Sequence, residues 1–306
     1  MKASKITKHT MKPMAIALVA AMGAFAGTAS AAPLVTQWNY STNAQFTTAT
    51  YQTGGTGLTT TSTYELSWGS RSGDFQDPTN NASTNRSALT VGSGDTGDAR
   101  IGGGPVTGSI ATTIGSSSLN VANGISLTHW NNPISASFNT LLTGTLFDTL
   151  TLTPTAWNPS TDPDPGVVNA PSITFNFDFR ETPNEGPCAG GTATPCGDLF
   201  GFAGIPNLNQ AFTLAGIEYF AQVFVLGPEG SASPISFLNA GQCAALGFGS
   251  QPCQGFLTAE EAATTAQFAF AITTERISVN VPEPGSLALL GLGLLGVGAT
   301  LRRRKA

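Results

Sequence analysis

The sequence predicts an all-β protein: a single antiparallel β-sandwich (jelly-roll-like) domain, flanked by an N-terminal signal peptide and a C-terminal transmembrane helix. Three observations predict it. Apolar and polar residues alternate with period two in several short runs. Gly, Pro and Asn punctuate the intervals between them. An uncharged, mainly apolar stretch stands near each end of the chain, beside lysines or arginines. Alternation sets one face of a strand on a core and the other toward water. Short strands of this kind between turn residues point to an antiparallel sandwich. Crossover helices, which a parallel sheet requires, have no sequence of useful length to form from.

Taken in order, Lys2, Lys5, Lys8 and Lys12 precede an apolar run from Met14 to Phe25, and small residues end in Ala29-Ser30-Ala31. A basic, apolar and small-residue order is what signal peptidase reads. The apolar run is short of the ~20 residues that span a bilayer, so residues 1–31 are expected to be cut off before Ala32. Within the following segment, Tyr64, Leu66 and Trp68 alternate with Glu65 and Ser67. Leu150 and Leu152 alternate with threonines, and Ile173, Phe175, Phe177 and Phe179 with Thr174, Asn176 and Asp178. Ile217, Tyr219, Ala221, Val223 and Val225 line one face of a longer strand, and Phe268, Phe270 and Ile272 another. Gly69 to Gly104 and the proline-rich Pro154 to Pro171 read as long loops. Thr258 and Glu261 have capping-box spacing and predict one marginal helical turn. One domain, residues 32–280, is expected.

At the C-terminus, Val281-Pro282-Glu283-Pro284 leads into the uncharged stretch Gly285 to Leu301, and Arg302-Arg303-Arg304-Lys305 follows. The stretch is at the lower edge of a spanning helix, and the basic cluster is expected on the cytoplasmic side. Residues 281–306 therefore read as an anchor.

Charge is strongly segregated. From Ala32 to Pro284 the chain carries five arginines, no lysine and all eighteen acidic residues, a net charge of −13. Such a segment is repelled by nucleic acid and anionic lipid and suits a cation-rich exterior. The four cysteines, Cys188, Cys196, Cys243 and Cys253, lie in this segment. An even number in an exported chain favours disulfides, and the spacing favours two local loops, Cys188–Cys196 and Cys243–Cys253. Zinc is the poorer reading, since no C-x-x-C occurs.

The Pro282-Glu283-Pro284 tripeptide, apolar stretch and basic tail together resemble the PEP-CTERM sorting signal of Gram-negative bacteria. That resemblance implies processing by an exosortase as well as signal peptidase. It also implies transient residence in the inner membrane and a final place on or outside the cell. Within the domain, Thr128-His129-Trp130-Asn131 resembles the motif of the THxN family of PEP-CTERM proteins. Trp68-Gly69, Ser87-Ala88-Leu89 and Glu181-Thr182-Pro183-Asn184 are similar to further pieces of it. The resemblance implies an exopolysaccharide or biofilm setting and no particular reaction.

His129 has two readings. In one, His129 and Asn131 tie a strand end and its turn by side-chain to backbone hydrogen bonds, Pro133 ends the strand and Trp130 packs into the core. In the other, His129 belongs to a ligand or metal site with Asn131 or Glu181. Asp95 and Asp98 on a glycine-rich loop, and the pair Asp162 and Asp164, suit a calcium ion or are solvated turn residues; no other cofactor is expected. There is no G-x-S-x-G, no H-E-x-x-H and no phosphate-cradling Gly-Lys pair, and the expectation is a protein that is not an enzyme. The competing readings are a carbohydrate- or calcium-binding module with Trp38, Trp130 or Trp157 as stacking platforms, and a glycan-active enzyme using paired carboxylates.

Overall fold

The structure, a computed structural model, describes residues 32–70, 85–93, 102–115, 118–160, 166–184, 188, 196–203, 209–227 and 231–276. The signal segment, Asp95, Asp98, Asp162, Asp164 and the C-terminal sorting segment lie outside them. In chain order the strands are β1 (Leu34–Tyr51), β2 (Leu58–Thr61), β3 (Glu65–Gly69), β4 (Arg86–Gly92), β5 (Val106–Ala111), β6 (Ala122–Asn131), β7 (Leu141–Asn158) and β8 (Val168–Asn169). They continue as β9 (Ile173–Arg180), β10 (Asp198–Ala203), β11 (Asn209–Leu214), β12 (Ile217–Leu226) and β13 (Ser236–Phe237). A helix, α1 (Ala240–Ala245), precedes β14 (Cys253–Thr258) and β15 (Ala262–Thr273).

The strands form two antiparallel sheets. One runs β13-β14-β10-β9-β7-β1-β5, with β8 also on β7; the other runs β11-β12-β15-β6-β4-β3-β2. These sheets of eight and seven strands differ from the eight strands in all that make a jelly roll. The long strands β1 and β7 pair along almost their whole length, from Leu34 opposite Asn158 to Tyr51 opposite Leu141. Their solvent face carries threonine pairs, Thr48 with Thr145 at 2.8 Å and Thr50 with Thr143 at 2.6 Å. Cross-strand hydroxyl pairs of this kind help to hold a register.

Apolar side chains from both sheets meet between them. Leu66, Trp68 and Leu127 of the seven-stranded sheet pack with Phe175, Phe177, Phe179 and Phe200 of the other. A second cluster gathers Trp38 and Trp157 with Tyr219, Phe270 and Ile272. Phe177 finds room only because Gly144 lies across from it, where a Cβ would come within 2.3 Å of the ring. Both local disulfides are present, Cys188–Cys196 between β9 and β10 and Cys243–Cys253 from α1 to β14.

Several expectations are corrected. The stretch from Gly69 to Gly104 is not one loop, because β4 lies in it with every residue buried. Its sequence, Arg-Ser-Ala-Leu-Thr-Val-Gly, is buried on both faces and so lacks the strict alternation of a half-exposed strand. The segment Pro154 to Pro171 is likewise not all loop, since β7 continues through Pro154 to Asn158. Register shifts between Val35 and Trp38 open the ladder beside that proline, and proline is tolerated where a ladder is irregular. No helical turn follows Thr258. Residues Ala259 to Glu261 make a tight turn, with Glu261 at φ 57°, from β14 into β15. The helix forms instead at Ala240–Ala245, where Asn239 and Gln242 complete a reciprocal capping box.

Candidate functional site

β6 carries the Thr128-His129-Trp130-Asn131 string as its last four residues. Strand alternation divides them. His129 and Asn131 follow Ile125 and Leu127 onto the face between the sheets, while Thr128 and Trp130 take the opposite face. There Thr128 meets the Thr265 hydroxyl at 3.0 Å, and the Trp130 indole donates to Thr90 Oγ1 at 2.7 Å. Trp130 packs on Ala88 and Ala263.

His129 is fully buried. Its ring stacks on Trp68, with centroids 6.0 Å apart and planes 17° apart, and meets the Phe179 ring edge-on at 5.0 Å. Neither ring nitrogen makes a hydrogen bond, and Nε2 stands 3.7 Å from Asp198 Oδ2. Burial pushes the imidazole down to about 3, so it is neutral at physiological pH. The expectation that the His129 side chain ties a local turn is therefore corrected: neither of its ring nitrogens bonds to backbone. The ties come from its neighbours, which reach along distant strands. Asn131 Nδ2 donates to the Thr258 carbonyl at 3.0 Å, and Asn132 Nδ2 to the Arg86 carbonyl at 2.9 Å.

Three carboxyl groups converge beside His129. Glu181 follows β9, Asp198 opens β10 and Glu260 sits in the β14–β15 turn. One carboxylate oxygen from each lies within 4.8 Å of the others. Asp198 Oδ1 accepts from the backbone N–H of Thr182 at 2.8 Å. Glu181 Oε2 accepts from the Trp68 indole at 2.7 Å. Asn131 Nδ2 lies 3.5 Å from Glu260 Oε1. The Glu181 and Asp198 carboxyls hydrogen-bond to each other through a shared proton, while Glu260 Oε2, Asn131 Oδ1 and Thr258 Oγ1 have no hydrogen-bond partner. Burial raises all three acids. Glu181 is pushed up to about 8, by burial first and by the Glu260 charge as well. Glu260 is pushed to about 7. Asp198 is held well above the carboxylate range by burial and the neighbouring Glu181.

The site thus draws His129, Asn131 and Trp68 from one sheet and Glu181, Asp198 and Thr258 from the other. Of the residues singled out from sequence, His129, Asn131 and Glu181 come together here. Asp198 and Glu260 were missed. The first stands alone beside a glycine, and the second belongs to a Glu-Glu pair that reads as a solvated turn. Their one signal is register, since Asp198 pairs with Thr258 across β10 and β14. The tryptophans offered as stacking platforms are corrected: Trp38, Trp130 and Trp157 are all buried.

The comparisons locate one family feature. Residues 280–305 match the model of the PEP-CTERM protein-sorting motif. The match includes Pro282, Glu283, Pro284 and the basic residues Arg302, Arg303 and Arg304. The chain therefore carries a bacterial signal for exosortase-dependent export and sorting to the cell surface. A comparison with curated proteins finds no match.

Proposed function

We propose that this chain is a non-catalytic surface or matrix protein of a Gram-negative bacterium, delivered by exosortase and working in the exopolysaccharide or biofilm layer. The sorting motif carries this reading. Signal peptidase removes residues 1–31, the apolar stretch Gly285 to Leu301 within the sorting segment 281–306 holds the chain in the inner membrane for a time, and exosortase cuts near Pro282-Glu283-Pro284. The domain that remains, residues 32–280, belongs to the THxN family. Its charge keeps it soluble in a polyanionic matrix without attracting nucleic acid. Burial of the four tryptophans supports a structural role over a module that stacks sugars.

The test is to follow two epitopes, one within the domain and one on Arg302 to Lys305, in cells with and without their exosortase. The domain epitope is expected on the surface and in the matrix of normal cells, with the tail epitope absent from it. Without exosortase the uncut chain is expected in the membrane fraction. Surface protein that keeps its tail, or a distribution indifferent to exosortase, would overturn the reading.

A further inference from the structure

We infer that Glu181, Asp198 and Glu260 bind one divalent cation of the calcium class that ties the two sheets together. Three independent features support it. First, the carboxylate oxygens lie within 4.8 Å of one another. Ligands held at the 2.3–2.6 Å of calcium stand up to about 5 Å apart across the ion, whereas the 2.0–2.1 Å of magnesium requires a tighter cluster.

Second, an unpartnered polar side chain is buried against the cluster. His129 and Asn131 are fully buried and come from the other sheet, not from the strands that carry the acids. His129 aims Nε2 at Asp198 Oδ2 without a hydrogen bond, and Asn131 turns its Nδ2 toward Glu260 and the Thr258 carbonyl. Buried polar atoms normally have partners. Here Glu260 Oε2 lacks one, and Glu181 and Asp198 satisfy each other only through a shared proton that a cation would displace; carboxylate oxygens are hard donors of the kind calcium prefers.

Third, the acids have no cationic partner. Among the described residues, the one basic group within ion-pair range is the His129 imidazole, which burial keeps neutral. A cation would supply the missing charge and fill the missing coordination together. Glu181 and Glu260 are only partly buried, and Glu181 also lines a surface cleft with Ile134, Phe138 and Pro183. That cleft gives an ion a way in. His129, stacked on Trp68, holds the wall behind Asp198 and is not needed as a ligand.

The role this implies is a clamp. β14 lies in the eight-stranded sheet and β15 in the seven-stranded one, and the chain crosses between them through the turn that bears Glu260. An ion at this crossing fastens β6 and the turn to β9 and β10. The domain would then be stiffest where calcium is plentiful, outside the cell.

The experiment uses the mature protein released from the cell surface, stripped with a chelator. Terbium, a luminescent stand-in for calcium, is expected to emit on tryptophan excitation, because Trp68 lies against Glu181. Calcium should displace it. Calcium in hundredfold excess over its Kd should raise Tm by about 5–10 °C. Glu260→Gln, at a partly exposed turn that tolerates the change, should fold and bind calcium at least tenfold more weakly. Asp198→Asn should lose the response, and its melt without calcium shows whether it folds. No terbium emission and no calcium-dependent shift in the wild type would overturn the inference. So would a shift of equal size in wild type and Glu260→Gln, which would place the ion elsewhere.

Discussion

His129 and Asp148 show how one physical effect, loss of water, acts on single residues of opposite charge type. Burial drives the His129 imidazole down and the Asp148 carboxyl up to about 7, each toward its neutral form. Asp148 lies in β7, far from the carboxyl cluster, and accepts a hydrogen bond from Thr42 Oγ1 at 3.0 Å. That bond and one from the Thr149 backbone offset only part of the burial effect. The folded chain keeps the Asp148 proton up to about pH 7, whereas the unfolded chain releases it near pH 4. Between these limits the folded state binds more protons, so this residue makes stability fall as pH rises, and its effect levels off above pH 7. Asp148→Asn should remove that slope. Denaturant midpoints measured from pH 4 to 8 should diverge between wild type and variant, by at most roughly 1.4 kcal/mol per pH unit. Parallel curves would count against a raised Asp148.

At the scale of elements, β14 shows how tightly backbone geometry limits sequence. Gly255 pairs with Gly201 of β10 on one side and Ser236 of β13 on the other. A Cβ on Gly255 would come within 1.9 Å of the Phe200 carbonyl oxygen, an atom of the backbone that cannot swing aside. Gly255→Ala should therefore cost several kcal/mol, more than the ~1 kcal/mol scale of β-propensity. Thermal unfolding by circular dichroism checks it, and a variant that melts within a degree of wild type would show that β10 and β14 can separate. The misplaced helix teaches the same lesson. Thr258 and Glu261 have the spacing of a cap, yet Ala262 to Thr273 pairs on both sides, with β12 and β6. Tertiary pairing overrides a weak local preference. Asn239 and Gln242 carry the same kind of signal, and there the chain has no such sheet to join.

For the whole molecule, export and stability are linked through the cysteines. Closing loops with sequence separations of 8 and 10 constrains the unfolded chain by about 2–3 kcal/mol each in the chain-entropy model. Non-reducing peptide mapping of the surface protein should link Cys188 to Cys196 and Cys243 to Cys253. The double variant Cys243→Ser/Cys253→Ser should lose about 2–3 kcal/mol, read as a lower denaturant midpoint. A link such as Cys188 to Cys253 would contradict the fold, because those cysteines lie in different loops. Oxidation also requires that the chain leave the reducing cytoplasm, which the sorting motif provides for.

Local order along the chain was enough to determine the strand-rich character, the short cysteine loops and the sorting motif, because each rests on neighbours a few residues apart. Ile173 to Phe179 reads as a strand from its own alternation, and Pro282-Glu283-Pro284 with its basic tail reads as a signal without any fold. The middle of β7 was legible from Leu150 and Leu152, but its full length and its partner β1 were hidden, since Pro154 and a threonine-rich face mask them, and β4 was hidden because both its faces are buried. The carboxyl cluster was the least legible. Glu181, Asp198 and Glu260 are separated by 17 and 62 positions, and nothing local distinguishes them from solvated acids. Only the tertiary structure decided that they meet His129 and Asn131, because burial and proximity arise from how two sheets pack. Charge along a chain can be counted residue by residue, but the loss of water around it belongs to the fold.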